Sequence, residues 1–402
     1  MKPTEIASLL RPRRPILRPS TRRLARCQNI EDLRRAARRR LPRPVFDYVE
    51  GGAEDEITLH RNTEAFDDLV LTPRVLRDVD AVDLSTTILG EPSPLPLALA
   101  PTGFTRMTHH EGELAVARSA QRAGIPYTLS TMGTRSIERV AAESSGSLWF
   151  QLYVWRDRGL AKELIERAKA AGYRALVLTV DVPVPGARER DLRNGLTIPP
   201  SLGVRTFFEG ARHPHWWWNF LMRDAVSFEC VSDRAADPSG VMALLAEQFD
   251  PSVTWNDLDW IHDAWNGPFV LKGIVDADDA RRAADAGVTG VVVSNHGGRQ
   301  LDRSPAAIAA LPAVVEAVGD RLDVLFDSGI RRGRDILTAL ALGARACLVG
   351  RAYLYGLGVA GERGVDRAIE LLTGELRRSM QLVGARTVSE LEPSMVAPLK
   401  RR

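Results

Sequence analysis

The sequence predicts an α/β protein with a TIM (β/α)8 barrel, because short apolar runs of strand character alternate with helical segments along the chain. Eight such runs occur, and each ends in turn residues. They cover residues 95–100, 127–129, 149–154, 175–180, 269–271, 290–293, 324–326 and 346–349. Helical patterns separate most of them, at residues 112–123, 158–171, 277–286, 306–318 and 335–342. Several of these helices are followed by a glycine, which is typical of helix C-termini.

Polar residues and glycines follow the predicted strands, and in such a barrel the loops after the strands build the open, reactive face. The last two strand ends are the most informative. Gly329 and Arg331 follow the seventh strand, and Gly350 and Arg351 follow the eighth. Loops at these two places commonly bind phosphate through backbone N–H groups, and arginine adds fixed positive charge. The pattern therefore favours a phosphorylated ligand over ordinary turn chemistry.

A long insertion, about residues 183–268, separates the fourth and fifth strands and far exceeds an ordinary connection. Its middle holds three consecutive tryptophans at 216–218, which cannot all face one side of a helix. Two interpretations stay open. The tryptophans form a patch that lies on a membrane surface, with His213 and His215 nearby, or they belong to a lid or subunit contact.

Positive charge is concentrated near the N-terminus. Residues 1–43 contain thirteen arginines and one lysine against three acidic residues, a net charge of +11, so the rest of the chain carries −8 of the overall +3. We expect a basic arm over residues 1–27, the barrel with its insertion over 28–392, and a C-terminal tail over 393–402. Such an arm binds anionic lipid or nucleic acid, or is simply solvated. Nucleic acid is not favoured, because residues 1–43 lack aromatic side chains that stack on bases.

The composition is that of a globular protein, with 45% hydrophobic and 26% charged residues among 402. No run is long enough for a transmembrane helix, and the short apolar stretch at residues 7–10 is not typical of a signal peptide. We therefore expect a cytoplasmic protein, either free or peripheral on the inner face of the cell membrane. Three scattered cysteines without a CxxC pair argue against a disulfide framework or a structural zinc site.

His296 is the candidate for catalytic chemistry, because it follows an apolar strand and stands in a turn flanked by glycines. An imidazole accepts a proton near neutral pH, and a neighbouring carboxylate fixes its tautomer and stabilises the cation. Asp181, at the end of the fourth strand, is the candidate carboxylate. Arg188 and Arg299 each offer a fork suited to a substrate carboxylate. One base and two arginines predict a small carboxylic acid as the substrate.

Several longer motifs stand at the predicted strand ends and near the N-terminus. They are SNHGGRQLD at 294–302, DSGIRRG at 327–333, ALGARACLVGRAYLYGL at 341–357, WFQLYV at 149–154, LTVDVPVPGARERD at 178–191 and FDYVEGGAEDE at 46–56. Together they resemble the FMN-dependent 2-hydroxy-acid dehydrogenase and oxidase family, which includes L-lactate dehydrogenases, glycolate oxidases and mandelate dehydrogenases. The likeness extends over about residues 28–392, and SNHGGRQLD is its most specific part.

The resemblance implies a catalytic set: a histidine base, its paired carboxylate, two arginines that hold the substrate carboxylate, and two tyrosines near the substrate. The matching residues are, in that order, His296, Asp181, Arg188 and Arg299, and Tyr48 and Tyr153. It also implies bound FMN. The positions that match flavin-ring contacts are Pro101, Thr102, Gly103, Ser130, Gln151, Thr179, Lys272 and Ser294. Those that match the ribityl and phosphate site are Asp327, Gly329, Arg331, Gly350 and Arg351.

Two positions and the insertion narrow the subtype that the resemblance implies. Gly103 stands where glycolate oxidases carry Ala, and Ser328 where they carry Gly, which is more similar to bacterial membrane-associated lactate and mandelate dehydrogenases. Open space beside Gly103 keeps an oxidase that uses O2 as an alternative, and Met132, a tryptophan in some relatives, leaves the pocket size open. The resemblance implies oxidation of an L-2-hydroxy acid, first L-lactate and otherwise mandelate or another acid. It further implies a quinone or similar acceptor and a homotetramer.

Other features carry less weight. The GxGxxG string at 356–361 does not directly follow a strand, as a dinucleotide site requires. His109, His110 and Glu111 open a predicted helix, where an acidic residue suits the positive N-terminus, so no metal is expected. Two other classes remain as alternatives: a phosphate-binding barrel enzyme without redox chemistry, and a lipid- or nucleic-acid-binding protein. Neither alternative explains why a histidine, an aspartate and two arginines all stand at the predicted mouth of the barrel, namely His296, Asp181, Arg188 and Arg299.

Overall fold

Strands and their order define the architecture of the computed structural model, which describes residues 19–194, 212–221, 223, 228–230 and 249–399. The strands are β1 (Leu69–Leu71), β2 (Thr86–Ile88), β3 (Glu91–Ser93), β4 (Leu97–Leu99), β5 (Tyr127–Ser130), β6 (Leu148–Leu152), β7 (Ala175–Thr179), β8 (Phe269–Ile274), β9 (Gly290–Val293), β10 (Asp323–Phe326), β11 (Ala346–Val349) and β12 (Val396–Pro398). Strands β4 to β11 pair in parallel in chain order, and β11 returns to β4 to close the barrel. The predicted TIM (β/α)8 barrel is confirmed.

Helices follow the barrel strands and surround them. The helices are α1 (Pro19–Arg26), α2 (Ile30–Arg40), α3 (Arg43–Glu50), α4 (Ile57–Asp67), α5 (Gly112–Ala123), α6 (Ile137–Glu143), α7 (Arg158–Ala170), α8 (Glu189–Arg193), α9 (Pro214–Leu221), α10 (Asp257–Trp265), α11 (Ala277–Asp285), α12 (Ala307–Val318), α13 (Gly333–Ala341), α14 (Arg351–Ala360) and α15 (Glu362–Val383). Short polar side chains begin several of them: Asp157 accepts the Leu160 N–H at 3.0 Å, and Asp276 accepts two N–H groups at the start of α11. Such local caps explain why the helices between strands were predictable.

The barrel interior is a separate apolar cluster built from alternate residues of the strands, because successive side chains on a strand point to opposite faces. Ala98, Val177, Val292 and Leu348 belong to it, and all are buried. The β2–β3 hairpin joins this cluster at the N-terminal end of the barrel, where the Leu89 N–H donates to Asp323 Oδ2 at 2.7 Å. The hairpin therefore covers one end of the barrel, and the other end is left for the site.

Both ends of the described chain pack against the barrel. Leu24 in α1 and the following Cys27 are buried, so the predicted arm ends in a packed helix, while residues 1–18 lie outside the described residues. At the C-terminal end β12 pairs antiparallel with β1, so part of the predicted tail is a strand. No helix in the described ranges combines the length and the apolarity that crossing a bilayer requires.

The insertion is described in part, at residues 183–194, 212–221, 223, 228–230 and 249–268. Within α9, Trp216 is half-buried and its indole N–H donates to the Met107 carbonyl at 2.7 Å. Trp218 is 67% exposed. Trp216 therefore packs against the loop after β4, whereas Trp218 is exposed, and the membrane-surface interpretation stays a prediction.

Candidate active site

A cavity of about 360 Å³ lies at the C-terminal ends of the barrel strands. Sixteen of the nineteen predicted site residues line it. The other three, Asp181, Gln151 and Ser294, stand behind the lining, and each contacts a residue that faces the cavity. Residues from 48 to 351 along the chain are thus brought to one place, as the barrel topology predicts.

The turn after β9 holds His296 in an unusual backbone conformation. His296, Gly297 and Gly298 all have positive φ, at 58°, 65° and 74°. A Cβ on Gly298 would stand 2.5 Å from the Leu59 backbone nitrogen, so the turn needs glycine there for close approach as well as for its φ. Asn295 anchors the turn through a reciprocal pair of amide hydrogen bonds with Asn62 of α4, both at 2.8 Å. The imidazole is therefore presented by a rigid turn.

His296 and Asp181 form the predicted pair, with Nδ1 3.0 Å from Oδ1. Because Nδ1 is engaged, Nε2 is the nitrogen left for the cavity that His296 lines. Burial would raise the pKa of Asp181, but His296 and Lys272 outweigh it and hold that pKa below its usual value. The Asp181 carboxylate therefore stays ionised at neutral pH.

A bulge in β8 makes room for that carboxylate. The pairing of β8 with β9 shifts its register between Lys272 and Ile274, and Gly273 within the bulge has a φ of 113°. A Cβ on Gly273 would stand 2.6 Å from Asp181 Cγ. Sequence patterns gave no indication of this contact, because it depends on the register of two neighbouring strands.

Two guanidinium groups and Tyr48 form one wall. The Cζ atoms of Arg188 and Arg299 lie 5.4 and 5.1 Å from the centre of the Tyr48 ring. Arg299 also donates to the carbonyls of Tyr48 and Gly51, at 2.8 and 3.0 Å, which fixes its orientation. Burial and then the charge of Arg188 lower the pKa of Arg299. Two partly buried cations held next to each other are suited to bind one carboxylate.

The opposite wall is more apolar. Tyr153 packs edge-on against Phe249 of the insertion, with ring centres 5.4 Å apart, and burial raises the pKa of Tyr153, so its hydroxyl keeps its proton. Met132 lines the cavity beside Gly103. A Cβ on Gly103 would stand 2.9 Å from Met132 Cβ, so the expectation of open space beside Gly103 is wrong in the Cβ direction. The loops after β4 and β5 are in direct contact here, since the Phe104 N–H donates to the Met132 carbonyl at 3.1 Å.

Hydrogen-bonding groups for a polar ring edge converge behind the cavity. Ser130 donates to Gln151 Oε1 at 2.9 Å, and the buried Gln151 Nε2 has no hydrogen-bond partner among the described residues. Lys272 Nζ lies 2.9 Å from Asp327 Oδ2 and from Ser294 Oγ. Burial opposes the charge of Lys272, but Asp327 and Asp181 raise its pKa above the usual value. A buried amide donor without a partner and a permanent cation fit the carbonyl and nitrogen edge of a flavin.

The end of the cavity near β10 and β11 has the features of a phosphate site. Gly350 lines it and precedes the first turn of α14, where free backbone N–H groups occur. Arg331 lines it too, and one of its N–H groups donates to the Ile330 carbonyl at 2.8 Å. Arg351 donates to the carbonyls of Val49, Gly51 and Gly297, at 2.8–3.0 Å. These three hydrogen bonds connect the C-terminal end of α3 to the His296 turn.

Some contacts that shape the site were not predicted. Asn62 and Phe249 are the main examples: the first is paired with a residue 233 positions away, and the second belongs to an insertion without a recognisable pattern. The helical spacing of Leu59, Asn62 and Phe66 was the one available signal for a buried α4 face.

His109, His110 and Glu111 place ligand atoms within 4.8 Å of one another. The Glu111 side chain does not cap α5, in contrast to the expectation; it pairs with Arg118 at 3.1 Å and accepts the Glu362 N–H at the start of α15 at 3.4 Å. Burial, and then His110 and Arg40, lower the pKa of His109 to about 3. Burial and the nearby Arg40 disfavour a further positive charge at this place.

The sequence profile of the FMN-dependent dehydrogenase family matches residues 37–398. The chain belongs to that family. Its members depend on FMN, so the cavity described above is that of a flavin-dependent oxidoreductase. The match reaches into α2 and β12, which agrees with the packing of both elements against the barrel.

Two bacterial relatives and one solved structure show which members of the family this chain is similar to. A Mycobacterium tuberculosis protein, itself named only provisionally as an L-lactate dehydrogenase, is 49% identical over 99% of this chain and 95% of its own length. An L-lactate dehydrogenase of Caulobacter vibrioides is 48% identical over 91% of this chain and 96% of its own. The crystal structure of a monotopic membrane protein, (S)-mandelate dehydrogenase, is 41% identical with a TM-score of 0.90, and covers 93% of this chain and all of that one.

Proposed function

We propose that this protein is an L-2-hydroxy-acid dehydrogenase that oxidises L-lactate to pyruvate. The observation that carries the proposal is the His296–Asp181 pair, 3.0 Å between Nδ1 and Oδ1, in one cavity with Arg188 and Arg299. A base beside a carboxylate-binding pair fits the removal of a proton from a small hydroxy acid. The names of the bacterial relatives support L-lactate as that acid.

In the proposed reaction lactate loses two electrons and two protons, one hydrogen from C2 and one from the hydroxyl, as the alcohol becomes a ketone. FMN, when bound, would take up the electron pair and the proton that His296 does not accept. His296 accepts one proton at Nε2, and the anionic Asp181 stabilises the resulting imidazolium through Nδ1. The tautomer is fixed in advance, because Asp181 accepts a hydrogen bond only from a protonated Nδ1.

Arg188 and Arg299 are proposed to hold the substrate carboxylate, and Tyr48 and Tyr153 to donate hydrogen bonds at its two ends. Holding the acid at one end fixes C2 relative to His296, which lowers the entropy cost of reaching the transition state. The insertion residue Phe249 packs on Tyr153 and helps to exclude water from that side. The proposed binding mode therefore suits a short acid held by its carboxylate.

FMN is proposed to be held from both ends. Lys272, Ser130 and Gln151 would bind the polar edge of the ring, with Pro101, Thr102, Gly103, Thr179 and Ser294 as further contacts. Asp327, Gly329, Arg331, Gly350 and Arg351 would bind the ribityl chain and phosphate. The unpartnered Gln151 Nε2 supports the ring end, and the start of α14 supports the phosphate end.

We extend the proposal to a quinone as electron acceptor and to a peripheral position on an anionic membrane at the inner face of the cell membrane. The exposed Trp218 supports it, since tryptophan favours the headgroup region of a bilayer. The monotopic relative supports it as well. A homotetramer is proposed from the family resemblance alone, and light scattering on the purified protein tests it.

The decisive experiment is the visible spectrum of the purified holoenzyme, recorded without oxygen before and after L-lactate is added. Loss of the flavin absorbance supports the proposal, and reoxidation by a soluble quinone or by O2 then identifies the acceptor. His296→Gln should stay yellow with L-lactate, whereas His60→Gln, at an exposed histidine, should bleach like the wild type. A colourless protein that cannot be reconstituted with FMN contradicts the proposal.

The second candidate substrate is (S)-mandelate, favoured by the TM-score of 0.90 with a mandelate dehydrogenase. The same anaerobic experiment separates the two acids. Faster bleaching with (S)-mandelate than with L-lactate assigns the larger acid. If the protein holds FMN but neither acid bleaches it, the substrate is another 2-hydroxy acid.

A further inference from the structure

A second cleft, about 560 Å³ in volume, lies between the N-terminal helices and the insertion. Helices α1 and α2 form one side, and residues 212–215 at the start of α9 form the other. This cleft shares no lining residue with the catalytic cavity. Six of its lining residues are arginines: Arg23, Arg26, Arg35, Arg39, Arg40 and Arg212. We call it the arginine cleft.

The arginine cleft has a large excess of positive charge. Asp32 is the one acidic residue of its lining, and it is already paired with Arg35. Across the described ranges, Arg23, Arg39 and Arg40 have no carboxylate within ion-pair distance. Arg35 and Arg39 stand four residues apart on α2, where like charges repel. Within the described ranges, most charges of the cleft therefore lack an acidic partner.

Arg23 and Arg40 are the more buried arginines of the cleft, whereas Arg26, Arg35 and Arg39 are exposed. The Arg23 Nε is fully buried and has no hydrogen-bond partner in the part of the chain that the structure describes. Burial and then the charge of Arg23 lower the pKa of Arg40 to about 10. An unpaired buried N–H next to a second guanidinium is unfavourable, and a bound anion would satisfy both groups.

We propose that the arginine cleft is a binding site for a phosphate group, with Arg23 and Arg40 as its innermost donors. Phosphate suits the cleft better than a carboxylate, because it carries more charge and offers more acceptor oxygens to the guanidinium forks. The site goes beyond the proposed reaction and does not depend on it, since FMN and the hydroxy acid belong to the other cavity.

The phosphate belongs either to a phospholipid headgroup or to a soluble phosphate compound. The position of the cleft favours the headgroup. Residues 212–215 run directly into α9, which carries the exposed Trp218, so one surface offers both phosphate-binding forks and a tryptophan that enters the bilayer interface. The chemistry of recognition is the same in both cases, and the test below separates the sources.

The test compares the full-length holoenzyme with Arg23→Gln/Arg40→Gln and with the control Arg61→Gln/Arg378→Gln. Both double variants remove two positive charges, and the control arginines are exposed and outside both cavities. One arm titrates inorganic phosphate and pyrophosphate by calorimetry at constant ionic strength. The other measures sedimentation with vesicles of phosphatidylcholine alone and of phosphatidylcholine with phosphatidylglycerol. The flavin spectrum and thermal unfolding check that each variant is folded.

The proposal expects binding in at least one arm, weakened about tenfold or more in Arg23→Gln/Arg40→Gln and little changed in the control. Binding of vesicles with phosphatidylglycerol but not of free phosphate assigns a headgroup, and the reverse assigns a soluble compound. If the double variant does not fold, Arg39→Gln, at an exposed position, replaces it. Asp32→Asn should tighten binding, which a purely structural role for the arginines would not do. Equal affinities in variant and control, or no wild-type binding in either arm, overturn the proposal.

Discussion

Asp181 shows how one carboxylate sets the chemistry of the cavity. Its Oδ1 faces His296 Nδ1, and its buried Oδ2 has no partner in the described part of the chain. Because its folded pKa lies below the unfolded one, the pair contributes to stability above the ordinary aspartate pKa. That contribution is lost only as the pH falls through the lowered, folded value.

Asp181→Asn is expected to lower kcat with L-lactate by about 100-fold or more, because the imidazolium loses its anionic partner. Stopped-flow reduction of the flavin by L-lactate measures the effect.

Asp259→Asn removes an exposed carboxylate outside the cavity and is the matched control, with no expected change. An Asp181→Asn enzyme that reduces its flavin as fast as the control would show that the proton is taken by another group.

The residues of the cavity could be predicted where their chemical type and a sequence motif both pointed to them. His296, Arg188 and Arg299 were predictable because a base and two guanidinium forks near the strand ends of a barrel are suited to bind and deprotonate a small acid. The contact of Gly273 with Asp181 was not predictable, since it arises from a bulge between two strands. Arg351 was predicted from its position, whereas the three carbonyls that it binds come from two other segments.

At the scale of elements, α14 and α15 pack against each other at Gly356 and Gly364, where their backbones approach closely. A Cβ on Gly364 would stand 1.8 Å from the Gly356 carbonyl oxygen, so both helices depend on the absence of side chains there. The same α15 contains Gly374, which is exposed and has open space in the Cβ direction. One helix therefore offers two glycines with opposite expectations.

Gly364→Ala is expected to destabilise the protein by about 1–3 kcal/mol, because the added methyl group forces α14 and α15 apart. Gly374→Ala should instead stabilise it, by up to about 1 kcal/mol, because alanine favours a helix interior. Thermal unfolding of the two holoenzymes measures the difference. If Gly364→Ala unfolds at or above the temperature of Gly374→Ala, the close packing of the two helices is not required.

The barrel strands and most of the helices between them were predictable, whereas α6 and α14 inside the alternation, and the elements outside it, were not predicted. The strands at 175–180 and 269–271 were found within a few residues, because each is a short apolar run between turns. The 22-residue α15 was not predicted, although Val365, Ile369 and Leu372 follow a helical spacing, because it lies after the last strand. The short β12 has too few residues to show a pattern.

For the whole molecule, the distribution of charge separates the basic N-terminus from an acidic remainder. The structure adds that residues 24 and 27 are buried against the barrel, so the end of the arm contributes to stability as well as to charge. Of the described residues that line the catalytic cavity, Tyr48 is the first in the chain. Stability and catalysis should therefore respond differently to removal of the arm.

Deleting residues 1–27 is expected to lower the unfolding temperature, since burial of Leu24 alone contributes about 1.5–3 kcal/mol. Anaerobic reduction of the flavin by L-lactate should be unchanged. Deleting residues 1–18 is the control, because it keeps Leu24 and Cys27 and should leave the unfolding temperature closer to that of the full chain. A shortened chain that is folded and yellow but no longer reduced would assign the arm to catalysis.

Arg351 connects the His296 turn to the segment after α3, and this connection matters while the chain is synthesised on the ribosome. Arg351 binds the Gly51 carbonyl across 300 residues and the Gly297 carbonyl across 54. A nascent chain that has already produced the first helices and His296 still lacks the arginine that joins them, so the active cavity cannot be completed before the last barrel strand has emerged. Contacts of such long range slow folding, and truncated translation products should be inert rather than partly active.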